Sequence, residues 1–226
     1  MARAQSDADP HPGNSIASNS EIDIASDANK QTNNNTSLLS RPKSTDLSFS
    51  TGDLLFLNVT ESPIFFTADD GMHGPELWKS DGTEGGQVLV KDIRPGSEGS
   101  QPHSFINVEG TLFFIADDGA SGRELWRSDG TANGTVLVKD LYPGSDSSWP
   151  GELTDVNGTL FFSPDSGSET GALWKSDGTA AGTVMVKDIW SGSVGSMQMW
   201  SGELTNVNGT LFFKANDGTH GEELWK

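Results

Sequence analysis

The residues of this chain that could do chemistry are carboxylates set among glycines in short polar segments. Each segment begins with Asp or Asn, continues to Gly, and in three of four copies ends in Glu. Hard oxygen ligands on a loop bent by glycine suit Ca²⁺, so these segments predict a metal site. The candidate Ca²⁺ ligands are Asp69, Asp70, Glu76, Asp117, Asp118, Glu124, Asp217 and Glu223.

Turn geometry explains the same residues without a metal. Asp and Asn side chains bond to the nearby backbone, and glycine accepts positive φ, so all three are typical of hairpin loops. The spacing departs from the twelve-residue Ca²⁺ loop, and the third copy has Ser166 and Ala172 where the others have Asp and Glu. Both interpretations stay open, and Ca²⁺ is the one cofactor under consideration.

Nothing in the sequence indicates a catalytic centre. The chain has no cysteine, so thiolate chemistry is excluded. Neighbouring carboxylates such as Asp117 and Asp118 diverge, whereas the two carboxylates of a glycosidase face each other across a cleft. His73 and His220 share a loop position, and a metal bridge between them would require their two loops to meet. We therefore expect a protein that is not an enzyme.

The charge of the chain restricts its partners. The formal net charge is −18, which disfavours nucleic acid because phosphate binding needs a basic surface. Cations, basic proteins and neutral glycans remain compatible with it. No apolar run approaches the roughly 20 residues that span a bilayer, so membrane insertion is not expected.

The elements that must position the carboxylates belong to an internal repeat. The tryptophans Trp78, Trp126, Trp174 and Trp225 are spaced 48, 48 and 51 residues apart, and pairs of phenylalanines follow the same spacing. Repeats of about 48 residues are typical of propellers, solenoids and arrays. The repeats cover about residues 54–103, 104–151, 152–202 and 203–226, the last being incomplete.

The sequence pattern of each complete repeat predicts four short antiparallel strands. In the second repeat these are residues 105–108, 111–116, 124–127 and 135–141, and Leu125 points to the opposite face from Glu124 and Trp126. The turns Asn157-Gly158 and Asn208-Gly209 favour hairpins because both positions accept positive φ. The longest connection follows the fourth strand, as it does between propeller blades. The fold class is therefore all-β, with tandem four-stranded blades like those of a β-propeller.

The domain prediction has two parts. Residues 1–45 are rich in polar residues and form a disordered tail, because they cannot bury enough apolar surface to fold. Residues 46–226 form the repeat domain. A strand at residues 47–50 would close a four-bladed ring by pairing beside residues 223–226; otherwise the blades form an open arc of a larger propeller, with the remaining repeats of a longer chain as partners.

Two further groups of large apolar residues stand out beside the phenylalanine pairs. The repeated tryptophans are expected to pack between blades, since one blade cannot bury both of its faces. The connections carry a second group, which either caps the core or forms an interaction surface. That group comprises Trp149, Trp190, Met197, Met199 and Trp200.

The motif Glu-Leu-Trp-x-Ser-Asp-Gly-Thr occurs at residues 76–83 and 124–131, with Ala172 beginning a third copy and residues 223–226 a fourth. In this motif the sequence resembles the ELWxxDGT repeat family of bacterial proteins. The resemblance implies a cell-surface or secreted location and no particular activity. We expect a non-enzymatic module that binds a protein or a glycan at the cell exterior. The alternatives are a structural spacer, rigidified by Ca²⁺ or not, and a propeller hydrolase or lyase, which the near-identity of the copies disfavours.

Overall fold

The computed structural model describes residues 48–49, 63–164, 172–189 and 204–226. The chain divides into two units, Met1–Leu38 and Leu39–Lys226, and every described residue belongs to the second. The predicted tail, residues 1–45, lies outside the described residues. Every helix or strand assigned within the described ranges is a β-strand, which confirms the all-β prediction. No helix that could cross a bilayer occurs in those ranges.

The strands form four antiparallel sheets, and neighbouring strands in each sheet are consecutive in the chain. Sheet 1 contains β1 (Ser48–Phe49), β2 (Ile64–Asp69), β3 (Glu76–Ser80) and β4 (Gln87–Lys91). Sheet 2 contains β5 (His103–Val108), β6 (Thr111–Asp117), β7 (Arg123–Ser128) and β8 (Val136–Lys139). Sheet 3 contains β9 (Pro150–Val156), β10 (Thr159–Pro164), β11 (Leu173–Ser176) and β12 (Val184–Lys187). Sheet 4 contains β13 (Thr205–Val207), β14 (Thr210–Asn216) and β15 (Glu222–Trp225).

The tight turns between the first two strands have the predicted geometry. Asn157 and Gly158 have φ of 52° and 80°, and Asn208 and Gly209 have φ of 51° and 78°. Residues that tolerate positive φ at both positions match the twist of the flanking strands, so the short hairpin fixes the register of each pair.

The pairing register of the two central strands is the same in all four sheets. Phe66 lies opposite Trp78, Phe114 opposite Trp126, Phe162 opposite Trp174, and Phe213 opposite Trp225. On the other side of the third strand, the register shifts between the Leu and the Trp in sheets 1 to 3. Such a bulge bends the strand and increases its local twist.

Neighbouring sheets pack face to face through the third strand. Trp126 is buried with Leu77 and Val90 of sheet 1, while Leu125 is buried with Phe162 and Trp174 of sheet 3. The predicted opposition of Leu125 and Trp126 is therefore confirmed. Sheets 2 and 3 each contribute one face to each of two apolar cores, which is why the aromatic residues of one sheet need its neighbour.

Lysines at the ends of the fourth strands lie at the sheet interfaces. Lys91 Nζ lies 5.8 Å from the centre of the Trp126 ring and donates to the carbonyl of Thr135 at 2.7 Å. Lys139 does the same with Trp174 at 5.6 Å and with Thr183 at 2.9 Å. Charged residues on an outer strand commonly protect it against edge pairing. Here the two lysines also join one sheet to the next.

The alternative in which residues 47–50 pair beside residues 223–226 and close a four-bladed ring is wrong. Ser48–Phe49 pairs with β2, where Ser48 lies opposite Asp69 and Phe49 opposite Ala68. It therefore occupies the edge of β2 and not the edge of β15. The physical reason is that a free strand edge offers unpaired N–H and C=O groups to any extended segment near it.

Replacing Trp126 with alanine tests the packing between sheets 1 and 2. Because the ring is buried between two sheets, Trp126→Ala should lower the free energy of unfolding by about 3–5 kcal/mol. Urea unfolding of the full chain at one pH measures this loss. The exposed Val88→Ala is the control and should change stability by less than about 0.5 kcal/mol. Equal effects of both substitutions would show that Trp126 does not hold the sheets together.

Candidate functional site

Six of the eight candidate residues lie along one edge of sheets 1 and 2, while Asp217 and Glu223 belong to sheet 4. At the edge of sheets 1 and 2, the loop before the third strand meets the segment that connects one sheet to the next. The amide of Gln101 donates to the carbonyl of Pro75 at 2.9 Å, and the amide of Ser148 donates to the carbonyl of Arg123 at 3.1 Å. We call this edge, made of residues 69–75, 92–102, 117–123 and 140–149, the acidic rim.

The Asp-Gly loops of the rim are closed by their own aspartates. Asp70 Oδ1 accepts the amides of Met72 and His73 at 2.9 and 3.0 Å. Asp118 Oδ1 accepts the corresponding amides of Ala120 and Ser121 at 2.8 and 2.7 Å. These bonds are the side-chain-to-backbone bonds expected of turn formers.

The aspartates that precede these residues make the same kind of bond. Asp69 Oδ1 accepts the amide of Gly71, and Asp117 Oδ1 accepts the amide of Gly119, both at 2.7 Å. In sheet 4, Asp217 Oδ1 accepts the amide of Thr219 at 2.9 Å. Each candidate loop carboxylate therefore already accepts hydrogen bonds within its own loop.

The two loop histidines bond inside their own loops and not to each other. His73 Nδ1 lies 2.8 Å from Asp70 Oδ2, and His220 Nδ1 lies 2.7 Å from Asp217 Oδ2. Hydrogen bonds from the backbone and side chain of His73 lower the pKa of Asp70 to about 2. The bond to Asp70 in turn raises the pKa of His73. These contacts stabilise the local loop.

Glu76 and Glu124 are fully buried and fasten the connecting segments. Glu124 accepts the amide of Ser148 at 2.9 Å, the Ser148 hydroxyl, and the amide of Leu141 at 3.4 Å. Glu76 accepts the amides of Arg94 and Ser100, each at 2.9 Å. One carboxylate therefore holds both ends of each connection.

Burial also makes these glutamates unusual acids. Loss of hydration raises the pKa of Glu124 to about 7, against the lowering effect of the hydrogen bonds from Ser148, and nearby Asp140 adds to the rise. The pKa of Glu76 is raised for the same main reason. Glu223, at the corresponding position of sheet 4, is exposed.

The calcium hypothesis remains a prediction. Within residues 63–164, 172–189 and 204–226, no group of three or more His, Asp or Glu residues is placed to hold one ion. Glu76 and Glu124 face backbone donors in the core, while the loop aspartates face their own amides.

An exposed aromatic residue lies on the same rim. Trp149 is 47% exposed, and its ring lies 5.0 Å from the Arg123 guanidinium. Arg123 also donates to the side-chain carbonyl of Gln101. We call Gln101, Arg123 and Trp149 the Trp149 patch. Of the two interpretations of the loop aromatics, the exposure of Trp149 favours the interaction surface.

The remaining apolar residues predicted to cap the core or form an interaction surface lie outside the described residues. They are Trp190, Met197, Met199 and Trp200. The sequence analysis missed Arg123 and Gln101. A signal was present, because Gln101 and Trp149 are separated by the repeat spacing and both precede Pro.

Comparisons with known proteins identify no family. No family model matches the chain, and no curated protein matches it. Among solved structures, the chain is similar to the computationally designed Ika8 protein, with 15% identity and a TM-score of 0.37. That similarity covers 79% of this chain and 44% of the designed protein, so the chain spans less than half of its length.

Glu124 should make stability depend on pH. Its pKa is raised in the folded state, so its favourable contribution is complete below its unfolded pKa and is lost as pH rises through about 7. Unfolding of the full chain at pH 5 and pH 8 should show a loss on the order of 2–3 kcal/mol from this group. Glu124→Gln should flatten that dependence, while the exposed Glu84→Gln should leave it unchanged. Parallel curves for all three proteins would contradict this assignment.

The turn interpretation of the loop aspartates predicts that calcium does not stabilise the folded chain. Since the loop aspartates already accept backbone hydrogen bonds, we expect the same melting temperature in millimolar Ca²⁺ and in EDTA. Thermal unfolding followed by circular dichroism measures this. A rise of several degrees with Ca²⁺ would show that the loops bind the ion, by mass action on the folded state.

Proposed function

We propose that the chain is a non-enzymatic binding module whose stacked sheets, arranged like propeller blades, present the acidic rim to a protein partner outside the cell. The observation that carries this proposal is the Trp149 patch. A large aromatic residue of a folded protein is normally covered, and Trp149 is half exposed beside a guanidinium.

The backbone holds Trp149 in an unfavourable conformation. Its φ is 48°, a region that bulky residues seldom adopt and that costs about 1–3 kcal/mol. The amides of Ser148 and Trp149 donate to the Arg123 carbonyl at 3.1 and 3.3 Å, and Glu124 anchors Ser148. These bonds fix the backbone at Trp149, and the Arg123 guanidinium lies against its ring, before any ligand arrives. A preorganised side chain loses less conformational entropy on binding.

The chemistry of the patch favours a protein as partner. Tryptophan and arginine are enriched among the residues that contribute most to protein interfaces. The surrounding rim is acidic, with Asp118, Asp146 and Glu98 near the connections, and the whole chain carries −18. A partner with a basic surface around an apolar pocket would therefore be attracted over long range, and its affinity would fall with salt.

A neutral glycan is the second candidate. Trp149 offers a flat apolar face, and the side chains of Gln101 and Arg123 beside it supply hydrogen-bond donors. The resemblance to ELWxxDGT repeat proteins supports an extracellular location for either partner. The spacer interpretation rests on sheet packing alone and leaves the exposed indole without a role.

Replacing Trp149 tests the proposal. The immobilised full chain, Trp149→Ala and Val88→Ala should be compared for retention of extracellular proteins and of a panel of neutral oligosaccharides. Val88 is a matched control because it is also 47% exposed and lies on β4, outside the rim. We expect a partner retained by the wild type and by Val88→Ala, with at least a tenfold loss for Trp149→Ala, consistent with truncating an interface anchor.

The outcomes separate the candidates. A protein partner released by 0.5 M salt would support the basic partner, since salt screens surface charge. Retention of an oligosaccharide alone would favour the glycan. Equal retention by all three chains would exclude the Trp149 patch as the binding site and leave the spacer interpretation.

A further inference from the structure

The free polar atoms on the side chains of the Trp149 patch are all hydrogen-bond donors. The one side-chain acceptor in the patch is Gln101 Oε1, and it accepts a hydrogen bond from the Arg123 guanidinium. Because a guanidinium can only donate, this bond also identifies which end of the Gln101 amide is the oxygen. Neither the NH2 group at the other end nor Trp149 Nε1 has a hydrogen-bond partner among the described residues.

The Arg123 guanidinium is available to a ligand for the same reason. Asp117 lies opposite Arg123 in sheet 2, but its carboxylate pairs with Arg94 at 2.8 Å. Arg123 forms no ion pair within the part of the chain that the structure describes, although the chain carries a net charge of −18. A guanidinium has several N–H groups, and the bond to Gln101 leaves others unused. The patch therefore presents donors around one exposed aromatic ring.

A surface of this kind selects a ligand that supplies acceptors and few donors. Anions supply acceptors, but the acidic rim and the net charge of −18 repel them. The hydroxyls of a neutral glycan both donate and accept, so some would lose their water against the patch without finding an acceptor, which costs free energy. A proline-rich peptide has backbone carbonyls but no N–H at each proline, and its apolar rings pack on aromatic side chains.

Charge adds a second requirement on the ligand. Glu98 and Asp146 are exposed on the rim, and Glu152 is exposed on β9 shortly after Trp149. These carboxylates attract arginine or lysine residues that flank the apolar part of a ligand, and they act over about 8–10 Å at moderate salt. A proline-rich segment between basic residues therefore meets both the hydrogen-bonding and the charge requirement.

We propose that the Trp149 patch binds a proline-rich segment flanked by arginine or lysine, held as an extended polyproline helix. Trp149 packs against the proline rings, while Trp149 Nε1, Arg123 and the Gln101 NH2 group donate to the carbonyls. The polyproline helix is stiff before binding, and the backbone at Trp149 is already fixed, so little conformational entropy is lost. This inference rests on the proposed function, which it narrows from a protein partner to one kind of segment.

Nuclear magnetic resonance of the isotope-labelled full chain tests the proposal. The indole N–H signal of Trp149 is identified by its absence from the spectrum of Trp149→Ala. The probe is a synthetic oligoproline peptide with an arginine at each end. We expect this peptide to shift the Trp149 signal saturably, while the signals of the buried Trp126 and Trp174 stay in place. Control peptides with alanines replacing the prolines, or glutamates replacing the arginines, should cause no saturable shift.

Gln101→Glu isolates the contribution of one donor. Glutamate has the same shape and can still accept from Arg123, but it lacks the NH2 group. The affinity for an oligoproline peptide with uncharged ends should therefore fall about fivefold, the effect of losing one hydrogen bond. Gln87→Glu adds the same charge at the start of β4, outside the rim, and should stay within about twofold. Circular dichroism checks that both variants keep the fold.

Three results would overturn the proposal. They are an unchanged Trp149 signal at roughly 1 mM peptide, a signal that neutral oligosaccharides shift and the proline peptide does not, and equal affinities of Gln101→Glu and Gln87→Glu. The retention experiment on the immobilised chain then decides the proposed function separately. A partner lost by Trp149→Ala would keep the patch as a binding site for another ligand, whereas equal retention by all chains would overturn both proposals.

Discussion

One strand carries two side chains that must be buried in opposite directions. Leu125 and Trp126 are neighbours on β7, and the pleat sends them to different faces of sheet 2. Burying either one against another sheet is worth roughly 2–3 kcal/mol, and neither can be buried within its own sheet. Sheet 2 therefore requires a neighbour on both sides, and the packing of sheets 1 to 4 follows from this requirement.

The same strand also positions the rim. Glu124 precedes Leu125 on β7, and its carboxylate reaches across to Ser148 in the next connection. Ser148 directly precedes Trp149, so the segment that carries the exposed indole is attached to β7 through the buried carboxylate of Glu124 and the carbonyl of Arg123. Core packing and surface presentation thus depend on three consecutive residues of one strand.

Features set by neighbouring residues were predictable from the sequence. The positive φ of Asn157 and Gly158 follows from their residue types, and the opposite faces of Leu125 and Trp126 follow from the strand period. The burial of Glu124 was not predictable, because the amides that donate to it belong to Leu141 and Ser148, 17 and 24 residues away. No local sequence pattern indicates these partners. The role of Lys91 was missed for a similar reason, since its partners belong to the next sheet. Ser48–Phe49 was misassigned because a two-residue strand has too little pattern to choose its edge.

The lysine contacts between sheets have a consequence for how the chain folds during synthesis. Lys91 and Thr135, like Lys139 and Thr183, are 44 residues apart, so each sheet interface closes within about one repeat of emerging chain. Short-range closure costs little loop entropy and favours rapid folding. We expect each newly made sheet to meet a finished face already outside the ribosome. At each stage of synthesis, the most recently made sheet therefore has one apolar face that is not yet covered by the next sheet.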